Sequence, residues 1–296
     1  MILNDSLVYP LTSHLSCLKS KYSSYCKHSQ NTQTKATHNQ NLSMRALLLL
    51  GLFILTLSCN SNNSKKEQPV APVTKTPERY PAHFSKVLDA HGTLADWDAF
   101  KTLSFTLVPE QGTEEIHTID LHSRKDLLAI GTATLGYDGE EVWVKDPDSI
   151  YKGNADFYHN LMFYFYAMPF VLADEGIIYE KTEALQVADT AYPGIKMQFE
   201  ANIGASSNDE YYLYYDPNTH QMRWLGYTAT FGAAKKSDRV NYIAYHDWQE
   251  VEGIVLPHAI SWYTVENGIP TQPRSTVRFE QVSLSTASKP KGFYAK

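Results

Sequence analysis

Apolar positions along the chain fall first at helical spacing and then at alternate positions. Between Pro81 and His91, the residues Phe84, Val87, Leu88 and His91 recur at steps of three and four, which predicts a helix ended by Gly92. A second short helix is predicted over Leu94 to Phe100. From Lys101 the period becomes two: Leu103, Phe105 and Leu107 alternate with polar neighbours, Ile116 to Leu121 alternates again, and Asp126 to Tyr137 is a further extended run. Asp138-Gly139, set between Leu135-Gly136-Tyr137 and Val142-Trp143-Val144, predicts a hairpin whose two turn residues accept positive φ.

Asn154 to Ala173 breaks the alternation. Phe157, Tyr158, Leu161, Met162, Phe163, Tyr164, Phe165, Tyr166, Met168 and Phe170 make this stretch apolar nearly all the way round, which predicts a helix buried on every side and kinked or ended at Pro169. Strand patterns resume at Ile177 to Val187, Gly194 to Ala201, Glu210 to Tyr215, Met222 to Phe231, Val240 to Glu250, Val255 to Val265 and Thr276 to Leu284. Asp216-Pro217-Asn218 and Glu266-Asn267-Gly268 supply turns between neighbours. The expected fold is mainly β with some helix. It is a strongly curved antiparallel sheet or open β-barrel of about ten or eleven strands, with N-terminal helices and one buried aromatic-rich helix.

The N-terminal region has a different pattern. Met44-Arg45-Ala46 is followed by an apolar stretch from Leu47 to Leu55, then Thr56-Leu57-Ser58-Cys59 and polar Asn60 to Lys66. The apolar stretch is shorter than the roughly 20 residues that cross a bilayer as a helix, so residues 44–58 read as a signal peptide. Leu57-Ser58-Cys59 resembles the bacterial lipobox, with its leucine displaced by one position. That resemblance implies cleavage before Cys59 and lipid attachment to its thiol. The other two cysteines, Cys17 and Cys26, lie upstream, so the processed chain keeps one cysteine and forms no internal disulfide. Residues 1–43 are polar with no sustained apolar period, and they read as a misplaced start before Met44 or as a disordered extension. Residues 59–78 then form a flexible tether, and 79–290 a single open-barrel domain of roughly 215 residues.

The formal net charge is −6 and the pI near 6.0, with no long basic stripe after Cys59, which argues against nucleic acid as a partner. The histidines after Cys59 are His83, His91, His117, His122, His159, His220, His246 and His258, and they form no spaced ligand motif; with the remaining cysteine committed to lipid, no metal site or cofactor is expected. Neither Gly-x-Ser-x-Gly nor a phosphate-cradling glycine loop occurs, so no catalytic residues are assigned. Glu114-Glu115 and Glu140-Glu141 read as solvated turn residues. The aromatic segment carries the main functional lead. Its residues either fill a core or line a cavity, the cavity set being Phe157, Tyr158, Met162, Phe163, Tyr164, Tyr166 and Phe170 with Trp143 and Trp224.

Three stretches carry a resemblance to known proteins: Val87 to Gly92 leading through Trp97 to Leu103, the Tyr137-Asp138-Gly139 turn with Val142-Trp143, and Asp247 to Pro257. On these the chain resembles the outer-membrane lipoprotein carrier superfamily, which implies an incomplete antiparallel barrel closed by helices over an apolar cavity. With Phe157 to Gly176 and Tyr214 to Pro217, it is also similar to a family of uncharacterised Bacteroidota lipoproteins, which implies no activity. Three readings stand at this point. The first is a monomeric, non-enzymatic protein, lipid-anchored in the envelope at the periplasmic face of the outer membrane or on the surface, that binds an apolar or amphiphilic ligand. The second is a surface interaction or scaffold module with a filled barrel. The third is an envelope hydrolase.

Overall fold

The computed structural model describes residues 79–200, 208–230 and 237–296. Cys59, the signal sequence at 44–58, residues 1–43 and the tether at 59–78 lie outside the described residues. Two short helices open the domain, α1 at Ala82–Asp89 and α2 at Leu94–Ala99. The helical stripe of α1 buries Phe84, Val87 and Leu88. The Thr93 hydroxyl caps α2 by accepting the Asp96 amide at 3.1 Å.

Five strands follow as a meander: β1 Thr102–Pro109, β2 Glu115–Asp120, β3 Asp126–Ile130, β4 Ala133–Tyr137 and β5 Val142–Lys145. The extended run from Asp126 to Tyr137 is thus two strands, folded back where Gly131 takes a positive φ. In the β4–β5 turn only Gly139 adopts positive φ. Asp138 instead accepts the amides of Glu140 and Glu141 through Oδ1, at 2.8 and 2.9 Å.

The helical segment then crosses to a second meander of β6 Ile177–Val187, β7 Thr190–Phe199, β8 Glu210–Tyr215, β9 Met222–Tyr227, β10 Asn241–Val251, β11 Ile254–Glu266 and β12 Ile269–Ser285. All twelve strands form one antiparallel sheet in the order β5-β4-β3-β2-β1-β12-β11-β10-β9-β8-β7-β6. The two meanders join where β1 pairs with β12, from Thr102 opposite Ser285 to Pro109 opposite Val277. No ladder joins β5 to β6 among the described residues, so the sheet stays open.

Side chains in register share a face of a sheet. Ile195, Leu213, Leu225 and Ile243 stand in register across β7 to β10 and belong to the main core, with Leu103, Phe105, Ile119 and Phe279 from β1, β2 and β12. The alternate row, Tyr214, Trp224 and Ala244, faces the other way and joins Leu185 and Tyr242 in a second, smaller apolar cluster. On the β4–β5 part of that outer face, Gly136 pairs with Trp143. The Trp143 indole donates to the Tyr294 carbonyl at 2.9 Å, so the C-terminal tail covers it.

His91 joins α1 to the far meander. Fully buried, it accepts the Met222 amide at Nε2, 3.0 Å away, which leaves Nδ1 to donate to the Val255 carbonyl at 2.9 Å. Its own carbonyl accepts the Val255 amide, and its ring meets Trp248 edge-on at 4.6 Å. Burial pulls its pKa down to about 4, partly opposed by the Val255 hydrogen bond, so it is a neutral clamp at pH 7. Two of the stretches singled out in the sequence, Val87 to Gly92 and Asp247 to Pro257, therefore meet here.

Candidate functional site: the aromatic segment and the cleft at its end

The segment between β5 and β6 is apolar enough to be buried, yet it does not form one helix. Asn154 starts α3 at Ala155–Tyr158 by accepting the Phe157 amide through its side chain. The chain breaks at Asn160, whose ψ is near 0°, and resumes as α4 at Leu161–Tyr166. Pro169 lacks an amide hydrogen and continues no α-helical ladder, so a 3-10 turn at Phe170–Ala173 ends the segment.

Met162, Phe163, Phe165, Tyr166, Met168 and Phe170 are buried in the main core. The Tyr166 ring stacks on Phe279 at 4.0 Å and leans on Phe105 at 4.7 Å. Phe170 lies parallel to Trp97 of α2 at 4.7 Å, and Phe165 packs on Trp262 and Tyr227. The segment thus fills the concave side of the sheet.

Its backbone is held by side chains rather than by strand pairing. Tyr245 donates to the Phe165 carbonyl at 2.8 Å, Tyr179 to Leu172 at 2.7 Å and Tyr80 to Ala173 at 2.9 Å. At the other end Tyr158 donates to both carboxylate oxygens of Glu115, which also bonds His117 at 2.9 Å. His159 meets the buried Asp126 at 3.2 Å. Burial, reinforced by Glu115, pushes the Tyr158 hydroxyl well above the usual phenol range and the Tyr151 hydroxyl up to about 12. Five buried polar atoms around this end have no hydrogen-bond partner among the described residues: His117 Nδ1, Asp126 Oδ1, Tyr151 OH, Asn160 Oδ1 and Tyr166 OH.

Of the nine residues that the sequence placed in a cavity, Met162, Phe163, Tyr166 and Phe170 come together in the core. Tyr158 is part-buried on Glu115, while Phe157 and Tyr164 are each 39% exposed at the surface of the segment. Trp143 and Trp224 lie on the opposite face of the sheet, one under the C-terminal tail and the other in the second cluster. Among the described residues, no three His, Cys, Asp or Glu side chains converge as metal ligands.

A cleft that the sequence did not point to opens where the segment ends. It consists of two adjoining hollows of about 150 and about 190 Å³, the first floored by Trp97, Phe170 and Leu121, the second running along the start of β6. Arg79, Tyr80, Asp174 and Glu175 line both, and Asp98, His122 and Arg124 rim the first. Arg124 is committed within it, donating from Nη2 to both oxygens of Asp174 at 2.8 and 2.9 Å while its guanidinium lies over the Phe163 ring. Burial raises the Asp174 pKa and Arg124 opposes the rise. These charges come from positions up to 96 residues apart, so no local spacing could have marked them.

The fold and this site define an open, single-sheet half-barrel whose concave side is occupied by its own aromatic crossover. The chain belongs to the family of unknown function DUF6503, whose model matches residues 45–269. No curated protein matches it. Among solved structures it is similar to a DUF1329 family protein from Desulfovibrio piger, at 8% identity over 72% of this chain and 95% of that one, with a TM-score of 0.44. It is also similar to a LolA superfamily protein from Nitrosomonas europaea, at 10% identity over 71% of this chain and 97% of that one, with a TM-score of 0.35.

Proposed function

We propose that the protein is a monomeric, lipid-anchored cell-envelope protein, held at the outer membrane through Cys59, that binds an amphiphile against the concave face of its sheet without catalysing a reaction. The observation that carries this reading is that the concave face is covered by a segment outside the strand ladder, which a ligand of like polarity can replace in part. Magnitudes limit the replacement. Among the ten buried apolar residues from Met162 to Ala173, which leave out Tyr164 and Pro169, the eight large side chains are worth about 12 to 24 kcal/mol if exposed to water. An acyl chain of roughly sixteen carbons returns about 13 kcal/mol. One chain therefore displaces part of the segment and not all of it. The part that yields is α3 with the first turn of α4, which exposes only Met162 and Phe163 of those side chains at about 3 to 6 kcal/mol; there Phe157 and Tyr164 are already part-exposed and the polar atoms without a partner among the described residues cluster. Residues 165–173, pinned by Tyr245, Tyr179 and Tyr80, stay.

Native mass spectrometry after incubation with a diacyl phospholipid, paired with hydrogen exchange over 155–166, tests this. Retained lipid together with altered exchange in that stretch is the expected result. Absence of both would leave the second reading, a filled sheet acting as a surface interaction module. That reading has its own support, since neither hollow of the cleft exceeds about 190 Å³ and drug-sized ligands occupy about 300 Å³ or more.

A further inference from the structure

The charges around the cleft are not all spent on each other. Arg124 and Asp174 pair with one another through Nη2 of Arg124, whose buried Nη1 has no partner among the described residues. Arg79, on the rim, holds one long hydrogen bond of 3.4 Å to the Ala173 carbonyl and lies over the Tyr80 ring. Asp98 and Glu175 stand exposed on the same rim, and Arg79, Asp98, Asp174 and Glu175 all act electrostatically on the Tyr80 hydroxyl. A cation and two carboxylates that form no ion pair among the described residues thus surround one aromatic hydroxyl over a floor of Trp97 and Phe170. A simple anion would meet Asp98 and Glu175 as like charges, and a simple cation would meet Arg79. A small molecule carrying both signs meets neither penalty.

We propose that this cleft binds the zwitterionic ammonium–phosphate group of phosphoethanolamine, its phosphate against Arg79 and its ammonium between Asp98 and Glu175. The group reaches the site either as the head of a membrane lipid or as a free soluble zwitterion. For the lipid source alone, the inference rests on the amphiphile reading given above. Arg79, a lining residue, is where the preceding chain joins the domain, and Cys59 stands twenty positions before it. Twenty residues reach at most about 70 Å, so with Cys59 lipidated the cleft lies no further than that from the head-group layer. The 3-10 turn that walls the cleft is also the end of the aromatic segment. A head group seated here would therefore place its acyl chains beside the segment they are to displace.

The test titrates the full chain with O-phosphoethanolamine, with inorganic phosphate and ethylamine as single-sign probes. In parallel, it measures binding to phosphatidylethanolamine vesicles and to phosphatidylglycerol vesicles. Arg79→Ala and Glu175→Gln, both at exposed positions, are checked for unchanged thermal unfolding and then carried through each arm. The expected result is that phosphoethanolamine binds about tenfold or more tightly than either single-sign probe, that phosphatidylethanolamine vesicles are preferred, and that each variant loses about tenfold in both arms. Binding of free phosphoethanolamine with the same sensitivity to both variants, but no binding to either kind of vesicle, supports the site with a soluble ligand and removes the amphiphile reading. Vesicle binding indifferent to head group and to Arg79 keeps the amphiphile reading and overturns the cleft assignment. So does failure of every zwitterion to bind.

Discussion

Replacing His91 should change not just how stable the protein is but how its stability depends on pH. His91→Phe keeps a ring beside Trp248 and removes both ring nitrogens, leaving the Met222 amide and the Val255 carbonyl buried without their partner. Each orphaned group costs about 1 to 3 kcal/mol, so the variant should lose about 2 to 6 kcal/mol at pH 7.5. The pH term has the opposite trend. In the native protein burial lowers the imidazole pKa from 6.5 to about 4, while the unfolded chain titrates near 6.5. Between those values the unfolded state binds more protons than the native state, so native stability falls as pH falls from 6.5 to 4, by about 3 kcal/mol in all. The variant has no imidazole and lacks that loss. Its deficit against the unmodified protein should therefore shrink by about 3 kcal/mol over the window, and His91→Gln should show the same shrinkage from a smaller starting deficit. Urea unfolding at closely spaced pH values from 7.5 to 4 measures it. A deficit that stays constant across the window would refute a neutral, doubly bonded His91.

Two further outcomes follow from packing. Tyr166→Phe removes a buried hydroxyl that has no partner and keeps the ring on Phe279, so denaturant unfolding should show stability unchanged or raised by about 1 to 3 kcal/mol; a loss of more than 1 kcal/mol would mean the hydroxyl is bonded. Gly92→Ala places a Cβ at φ +102° and against the Gly253 carbonyl oxygen, beneath the His91 clamp. A loss of about 2 kcal/mol is expected, seen calorimetrically as a fall in Tm of about 4 to 8 °C, and an unchanged Tm would contradict the tight docking of α1 on the β10–β11 turn.

Much of the fold was legible in the sequence because its parts are local. Alternation located strands from β1 onward, and Asp216-Pro217-Asn218 turns where expected, with Asp216 accepting the Asn218 and Thr219 amides. Asp126 to Tyr137 read as one strand because Leu127 to Ala133 carries no strong turn pair, and Gly131 alone marks the reversal. Alternation locates two faces without saying which is inward. In Leu213-Tyr214 and Trp224-Leu225 both faces carry large apolar residues, so Trp224 read as interior although Leu225 is the one facing the core. Trp143 is hidden by residues 150 positions later in the chain, which no window contains. The aromatic segment was correctly marked for burial. Its end at Pro169 was legible from the proline itself, whereas its break at Asn160 goes with a tertiary anchor, the Asn160 amide donating to the Arg124 carbonyl.

The pairing of β1 with β12 puts the last strand of the described sheet in its middle. Until β12, residues 269–285, is made, β1 ends the first meander as a bare edge and β11 ends the second, so neither half can finish its core. A chain emerging N-terminus first is thus kept from locking early, its closing contact spanning more than 180 residues between Thr102 and Ser285. Folding of the whole sheet is deferred until β12 has been made, however early its first five strands are ready.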